Sequence, residues 1–528
     1  MKYLSIVIFL LICPYVFAQD NNKNVTEKPA PKKRETVKPT LIRGPYLQIA
    51  TPTSMVIRWR TDALARSRVR FGTKANDLSQ VADDNSLVTE HIVKLNGLSP
   101  RTKYYYSIGG LKDTLQGDSS NYFMTLPVAG QEGKYRVGIF GDCGHNSTNH
   151  RNVRDEFIKY LGNNYLDSWI LLGDNAYPDG EDAQYQANFF NIHKDNLLKK
   201  YPLFPAPGNH DYHDVEFSKA IAQKTHEVAY YQNFSMPVSG ESGGVPSNTK
   251  AYYSFDIGNI HFLSLDSYGQ EENLYRLYDT LSPQVKWVKK DLEANKNKGW
   301  VVAYWHHPPY TMGTHDSDKE TELLKIRENF VAVLERYGVD LVVCGHSHNY
   351  ERSKLMKGYY GLEADFNAEK HNLSQSSGQY DGTDNSCPYI KRQGNNGIVY
   401  AVSGSAGGLG IVKPSFPHEA LPFANSTIGG SAILEVEGNR LDFKWISADG
   451  VIRDNFTMMK DVNKKQLIKA RKGELITLKA SFVGNYYKWS NGKENSRSIQ
   501  INPKKSSVYT VTDEFNCITD VFEVVVSK

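Results

Sequence analysis

Residues 344–352 read CGHSHNYER and follow directly on the apolar run VDLVV at 339–343. A run of that kind predicts a buried strand, and Gly345 is expected to turn the chain at its end. His346 and His348 then leave the strand end two residues apart, with both imidazoles near one point. A single His-x-His pair fits a solvated turn as well as it fits a metal site. The rest of the chain has to separate the two.

Four further strand-like runs end in polar groups. YRVGIFGDCG ends in Asp142, and SWILLGDNAY ends in Asp174 with Tyr177 three residues on. PLFPAPGNHDY ends in Asn209, His210 and Asp211, and VVAYWHHPPY ends in His306 and His307. Each alone has an ordinary reading as a cap, a turn residue or a satisfied core histidine. Together they mark the loops after sheet strands, where α/β-type folds assemble their sites. Gly141, Gly173, Gly208 and Gly345 precede the polar groups, and the expectation is that each lets the backbone turn sharply.

In this order the set resembles the purple acid phosphatase branch of the metallophosphoesterases, whose motifs run GDxG, GDxxY, GNH, VxxH and GHxH. Here they stand as GDCG, GDNAY, GNHD, AYWH and GHSH, with Ala303 replacing the valine. The resemblance covers roughly residues 134–450. It implies that Asp142, Tyr177 and His348 bind one metal, that Asn209, His306 and His346 bind a second, and that Asp174 bridges them. Carboxylate and phenolate oxygens suit Fe(III), while the Asn oxygen and two imidazoles suit a divalent Zn, Fe or Mn. Two ions about 3.5–4 Å apart clamp a phosphoryl group and acidify a bridging water. The implied reaction is hydrolysis of phosphate monoesters by in-line attack of metal-bound hydroxide. His210 is placed to hydrogen-bond a phosphate oxygen. His315, nine residues after His306, resembles a histidine that protonates the leaving group, and His307 is its rival for that role. Tyr177 implies a tyrosinate–iron absorption band. Cys143 and Cys344, beside ligands, read as small buried fillers.

Outward from this block, the chain reads as several domains. Residues 1–18, MKYLSIVIFLLICPYVFA, combine Lys2, a short apolar core and a small-residue end, the pattern of a signal peptide. Residues 19–41 are Pro/Lys-rich and read as a linker. Over 42–127 short alternating strands appear: in MVIRWRT, Ile57 and Trp59 share one face and Val56 and Arg58 the other. Leu98-x-Pro100-x-Thr102-x-Tyr104 resembles the tyrosine corner of fibronectin type III sandwiches. Such a domain also precedes the catalytic one in large members of the family. Residues 134–450 alternate buried strands with helices. Ser282-Pro283 caps one of these helices, and Gly338 ends another. The stretch 355–394, rich in Gly, Ser, Asn and Tyr, is expected to be a long surface insertion near the site. The tail 466–528 returns to strands and resembles small immunoglobulin-like repeats with a stability or sorting role, in contact with the cell surface or secretion machinery. The resulting fold is multidomain: a four-layered α/β/β/α metallophosphoesterase sandwich flanked by an N-terminal fibronectin-like β-sandwich and a small C-terminal immunoglobulin-like β domain.

Composition narrows the alternatives. Across 528 residues, Lys+Arg total 62 and Asp+Glu 58, a net charge of +4 that gives no case for nucleic acid. No stretch reads as a membrane span, so the mature chain is expected to be exported, as a secreted, periplasmic or surface protein, and to act on a small phosphorylated substrate. Four cysteines would remain after cleavage, too few for a disulfide scaffold, and their pairing is open. Two other functions stay in view: a phosphodiesterase or pyrophosphatase on the same centre, and a surface adhesin whose catalytic domain is inactive.

Overall fold

The computed structural model describes residues 38–213, 221–391 and 397–527. The signal peptide expected over 1–18 and the linker as far as residue 37 lie outside the described residues. Leu41, at the linker's expected end, already opens the strand Leu41–Gln48.

The N-terminal β domain is a six-stranded sheet built around the long strand Met55–Gly72, which pairs with Leu41–Gln48, Gln80–Leu95 and Lys103–Gly109. Ile57 and Trp59 are fully buried in its core. The opposite face is buried as well, because it lies against the following domain. There Arg58 Nη2 donates to the Gln232 carbonyl at 2.7 Å, and Tyr46 Oη donates to the Asn233 carbonyl at 2.8 Å. The Ser99 N–H donates to Tyr104 Oη at 3.0 Å, which ties this strand to the turn before it.

Two seven-stranded sheets follow. One runs through strands starting at Tyr389, Ile452, Arg440, Gly430, Lys134, Ser168 and Leu203, the other through Tyr253, Ile260, Trp300, Leu341, Val399, Tyr350 and Phe423. In the first sheet Lys134–Phe140, Ser168–Leu172 and Leu203–Ala206 are parallel; in the second, Ile260–Ser264, Trp300–Trp305, Leu341–Cys344 and Val399–Ser403 are. Most of these strands are apolar and buried along their whole length, as parallel strands covered on both faces must be. The sheets touch through rings and hydroxyls. Phe204 stacks on Phe255 at 3.9 Å, and Tyr304 Oη donates to the Phe204 carbonyl at 3.0 Å.

The helix Pro283–Ala294 starts as its sequence predicts: Ser282 Oγ accepts from the Val285 N–H at 3.1 Å, Pro283 holds the first turn, and Val285, Val288 and Leu292 are buried. The segment Thr321–Tyr337 passes through a π-helical turn at Ile326–Phe330 and stops at Gly338, whose φ is +76°.

The described residues of 355–394 are mostly exposed or half-buried, as expected of a surface insertion. Leu355, Met356, Tyr359 and Tyr389 nevertheless anchor the segment in the core, and Tyr389–Lys391 pairs in parallel with Ile452–Lys460 at the sheet edge. One boundary needs correction: the sheet continues past residue 450, to Lys460. Beyond it, strands Lys465–Arg471, Thr519–Ser527, Ser507–Thr512 and Lys488–Trp489 form a four-stranded sheet whose core includes Leu478, Phe482, Trp489 and Phe522. Tyr380 Oη donates to Asp513 at 2.9 Å, and a disulfide joins Cys387 to Cys517, so the 355–394 segment is stitched to this unit. Cys143 and Cys344 are free and buried.

Candidate metal centre

The loops after strands Lys134–Phe140, Ser168–Leu172 and Leu203–Ala206 of one sheet meet those after Trp300–Trp305 and Leu341–Cys344 of the other. Asp142, Asp174 and His346 take left-handed backbone with φ of 55°, 52° and 67°. The sharp turns therefore fall on the candidate ligands themselves, short polar residues that tolerate this region better than most. Of the four preceding glycines only Gly173 has a left-handed φ, +92°. At the other three what is needed is space. A Cβ on Gly208 would stand 2.2 Å from Asp174 Oδ1, and one on Gly345 would stand 2.4 Å from Asp142 Oδ2.

Tyr177 Oη lies 3.1 Å from Asp142 Oδ1, 2.8 Å from Asp174 Oδ2 and 2.9 Å from His348 Nε2. On the other side His306 Nε2 stands 3.2 Å from Asp174 Oδ2 and 3.2 Å from His346 Nδ1. The Nδ1–H of His306 donates to the Leu172 carbonyl at 2.9 Å, which turns the Nε2 lone pair inward. Asn209 and Asp174 both line a cleft of about 380 Å³ with His210, Tyr268, His307, His315, Glu320 and His348. All seven sequence-derived ligand candidates are thus gathered, with Asp174 between the two groups.

The electrostatics fit a cation. Burial, then the charges of Asp174 and Asp142, push the Tyr177 phenol well above its ordinary value, and a bound cation reverses that preference. Burial alone would raise Asp174, but the imidazoles of His306 and His210 outweigh it and hold the carboxyl well below the usual range. His306 works against its burial and rises to about 9 through Asp174 and Asp142. Buried carboxylates, a phenol and imidazole lone pairs aimed at common points are a donor set that a metal pair satisfies.

The remaining candidates separate. His210 donates its backbone N–H to Asp174 Oδ1 at 3.0 Å, leaving the ring in the cleft. His315 is 34% exposed at the cleft, its Nδ1 2.8 Å from Glu320 Oε2. His307 is buried with Nδ1 2.9 Å from Ser267 Oγ; burial, then His346 and His306, push it well below the ordinary histidine value. Asp211 faces away from the centre and supports the loop, accepting from the Gly208 N–H at 2.8 Å and Asn175 Nδ2 at 2.9 Å. Two contributors escaped sequence reasoning: His145, whose ring stacks on Tyr177 at 3.8 Å, and Glu320. His145 directly follows the GDCG run, which could have marked it, whereas no strand-end pattern marks Glu320.

Two segments of the chain match known family models. Residues 135–350 match the calcineurin-like phosphoesterase family, and residues 42–125 match the purple acid phosphatase N-terminal domain. In both matched segments the chain resembles the purple acid phosphatases among the metallophosphoesterases. It is 32% identical to purple acid phosphatase 15 of Arabidopsis thaliana over 56% of this chain and 58% of that protein. It is 26% identical to acid phosphatase type 7 of Mus musculus over 72% of this chain and 80% of that one. Among solved structures it shares its fold with a purple acid phosphatase from yellow lupin seeds, with a TM-score of 0.57 at 18% identity over 80% of this chain and 74% of the lupin one. For a metallophosphoesterase of this branch a binuclear metal centre is implied, and the gathered residues can hold one. Among the described residues no helix is long and apolar enough to cross a membrane.

Proposed function

We propose that the protein is an exported acid phosphatase that hydrolyses phosphate monoesters. The observation that carries this reading is the convergence of Tyr177, Asp142 and His348 on one side of Asp174 and His306 and His346 on the other, at the wall of a polar cleft. Asp142, Tyr177 and His348 would hold Fe(III), Asn209, His306 and His346 would hold a divalent Zn, Fe or Mn, and Asp174 lies within reach of both groups. Such a pair would supply positive charge for the phosphoryl group and acidify the attacking water.

The chain's own residues do the rest. Asp174 keeps His210 at the cleft through the backbone bond, and the ring, whose Nδ1–H is given to the Pro178 carbonyl, donates from Nε2 in its protonated form to a phosphate oxygen as the charge there grows. The water oxygen bonds to phosphorus as the ester P–O bond breaks, and the departing alkoxide takes a proton, leaving alcohol and inorganic phosphate. We assign that proton to His315, which is partly exposed at the cleft and backed by a carboxylate, rather than to the buried His307. His307 then serves as a neutral wall of the site.

The wider architecture is part of the proposal. We read the paired sheets and their helices as the four-layered α/β/β/α sandwich, residues 42–127 as fibronectin-like, and the tail from 466 as an immunoglobulin-like unit suited to sorting or surface contact. The signal-like segment 1–18 and the Cys387–Cys517 bridge both suit an oxidising compartment outside the cytoplasm. An inactive adhesin is disfavoured by the complete donor set.

The test is metal analysis and a visible spectrum of the purified protein, with turnover of p-nitrophenyl phosphate against bis-p-nitrophenyl phosphate. A pink to purple protein with two ions per chain and faster monoester turnover is expected. Tyr177→Phe should bleach the colour while activity falls only moderately. A colourless, fully active wild type with two divalent ions would remove the iron assignment alone. Faster diester turnover would remove the monoester assignment.

A further inference from the structure

Glu320 immediately precedes the helix Thr321–Lys325, where a side chain ordinarily turns to the free N–H groups of its own helix. Its carboxylate makes no such cap bond. Both oxygens instead reach His315 Nδ1, at 2.9 and 2.8 Å, and Oε2 also lies 3.3 Å from His346 Nε2. The Asp316 N–H donates to Oε1 at 3.1 Å and holds the carboxylate in place. The rings of His315 and His346 pack at 3.7 Å, so one carboxylate reaches two adjoining imidazoles. The other glutamate of the cleft, Glu322, is engaged elsewhere, 3.6 Å from Arg276 Nη1.

We infer that Glu320 is a positioning residue that sets the orientation and tautomer of both His315 and His346 through a single carboxylate. Resting on the roles proposed above, this ties the proton donor to one of the ligand imidazoles. An acceptor at Nδ1 of His315 fixes the hydrogen on that nitrogen and leaves Nε2 to exchange a proton in the cleft. For His346 the same carboxylate fixes the hydrogen on Nε2. The lone pair then lies on Nδ1, the atom 3.2 Å from His306 Nε2, which the Leu172 carbonyl orients in the same fashion. Loss of Glu320 releases both rings at once, whereas loss of His315 releases neither ligand.

The experiment compares Glu320→Ala, Glu320→Gln and His315→Ala in the full-length protein. One readout is zinc affinity, by competition with a chromophoric chelator. The other is kcat on p-nitrophenyl phosphate against an alkyl phosphate, whose leaving group needs a proton. Glu320→Ala should weaken zinc binding by about 10–100-fold. It should also slow the alkyl ester at least about tenfold more than the aryl ester. Glu320→Gln keeps the size but presents an N–H to one of the two rings, so both effects should appear in weaker form. His315→Ala should reproduce the leaving-group effect with zinc affinity unchanged. If His315→Ala shows no leaving-group effect, the assignment of His315 fails, and zinc affinity alone then decides for Glu320. Unchanged zinc affinity in Glu320→Ala overturns the inference in every case. So does equal slowing of both esters by Glu320→Ala when His315→Ala discriminates between them.

Discussion

Strands of the first catalytic sheet end in Asp142, Asp174 and Asn209, whereas those of the second end in His306, His346 and His348. One sheet delivers oxygen, with Tyr177 adding a phenol from the same side, and the other delivers nitrogen. Either set alone would be poorly placed: buried carboxylates repel one another, and buried imidazoles lose their charge. His346, facing His315 and His306 from a buried position, falls to about 3, burial being the largest cause. Across the seam the two sets relieve each other, as the 3.2 Å contact between His306 Nε2 and Asp174 Oδ2 shows. The centre is therefore an interface between sheets, and Asp174 is the residue on which both sides close.

That asymmetry makes Asp174→Ala the most damaging single change. Asp174 meets Tyr177, His306 and the His210 backbone, so its loss opens both groups of donors. Activity should fall to background and at least one ion should be lost. Near-normal turnover with two ions per chain would show that the seam does not depend on it. His210→Ala tests the same side without touching a ligand. Its backbone bond to Asp174 survives substitution, so metal content should stay intact while kcat drops by about 10²–10³. Loss of metal in that variant would instead make His210 part of the oxygen-side scaffold.

Asp142, Asp174, Asn209 and His346 stood out as candidates because they obey a local rule, an apolar run, a glycine, then a polar side chain, while His306 follows its strand directly after Trp305. The reason for the glycines was not legible. Gly208 and Gly345 are small because Asp174 and Asp142 press against them, a contact between distant loops that no local pattern encodes. Glu320 was missed for a related reason. SDKETELL reads as a solvated helix start, and only the folded loop brings its carboxylate to His315 and His346. The anchors of segment 355–394 were hidden because they are distant in sequence: Tyr359 stacks on Tyr310, and Cys387 is joined to Cys517 in the tail. Pairing of Lys465–Arg471 with Thr519–Ser527, a parallel contact across the whole tail, was equally out of reach.

The smallest expected effect sharpens the contrast away from the metals. His261, on the strand Ile260–Ser264 of the nitrogen-bearing sheet, is fully buried between Asp256 and Asp291, with Nδ1 2.9 Å from the first and Nε2 2.6 Å from the second. Burial opposes its charge, yet the hydrogen bonds to Asp256 and Asp291 win and raise it above the ordinary 6.5. A raised folded value means that the folded state holds the proton more tightly than the unfolded chain does. The resulting stability is fully present below about pH 6.5 and fades as the pH climbs through the folded value. His261→Gln should therefore lower the melting temperature in mild acid by a few degrees, the size that about 1 kcal/mol produces in a large domain. The gap between wild type and variant should narrow toward pH 9, with both proteins saturated in metal. A gap that stays constant from pH 5 to pH 9 would mean that His261 stabilises this sheet by packing and neutral hydrogen bonds, with no charge held between the two aspartates.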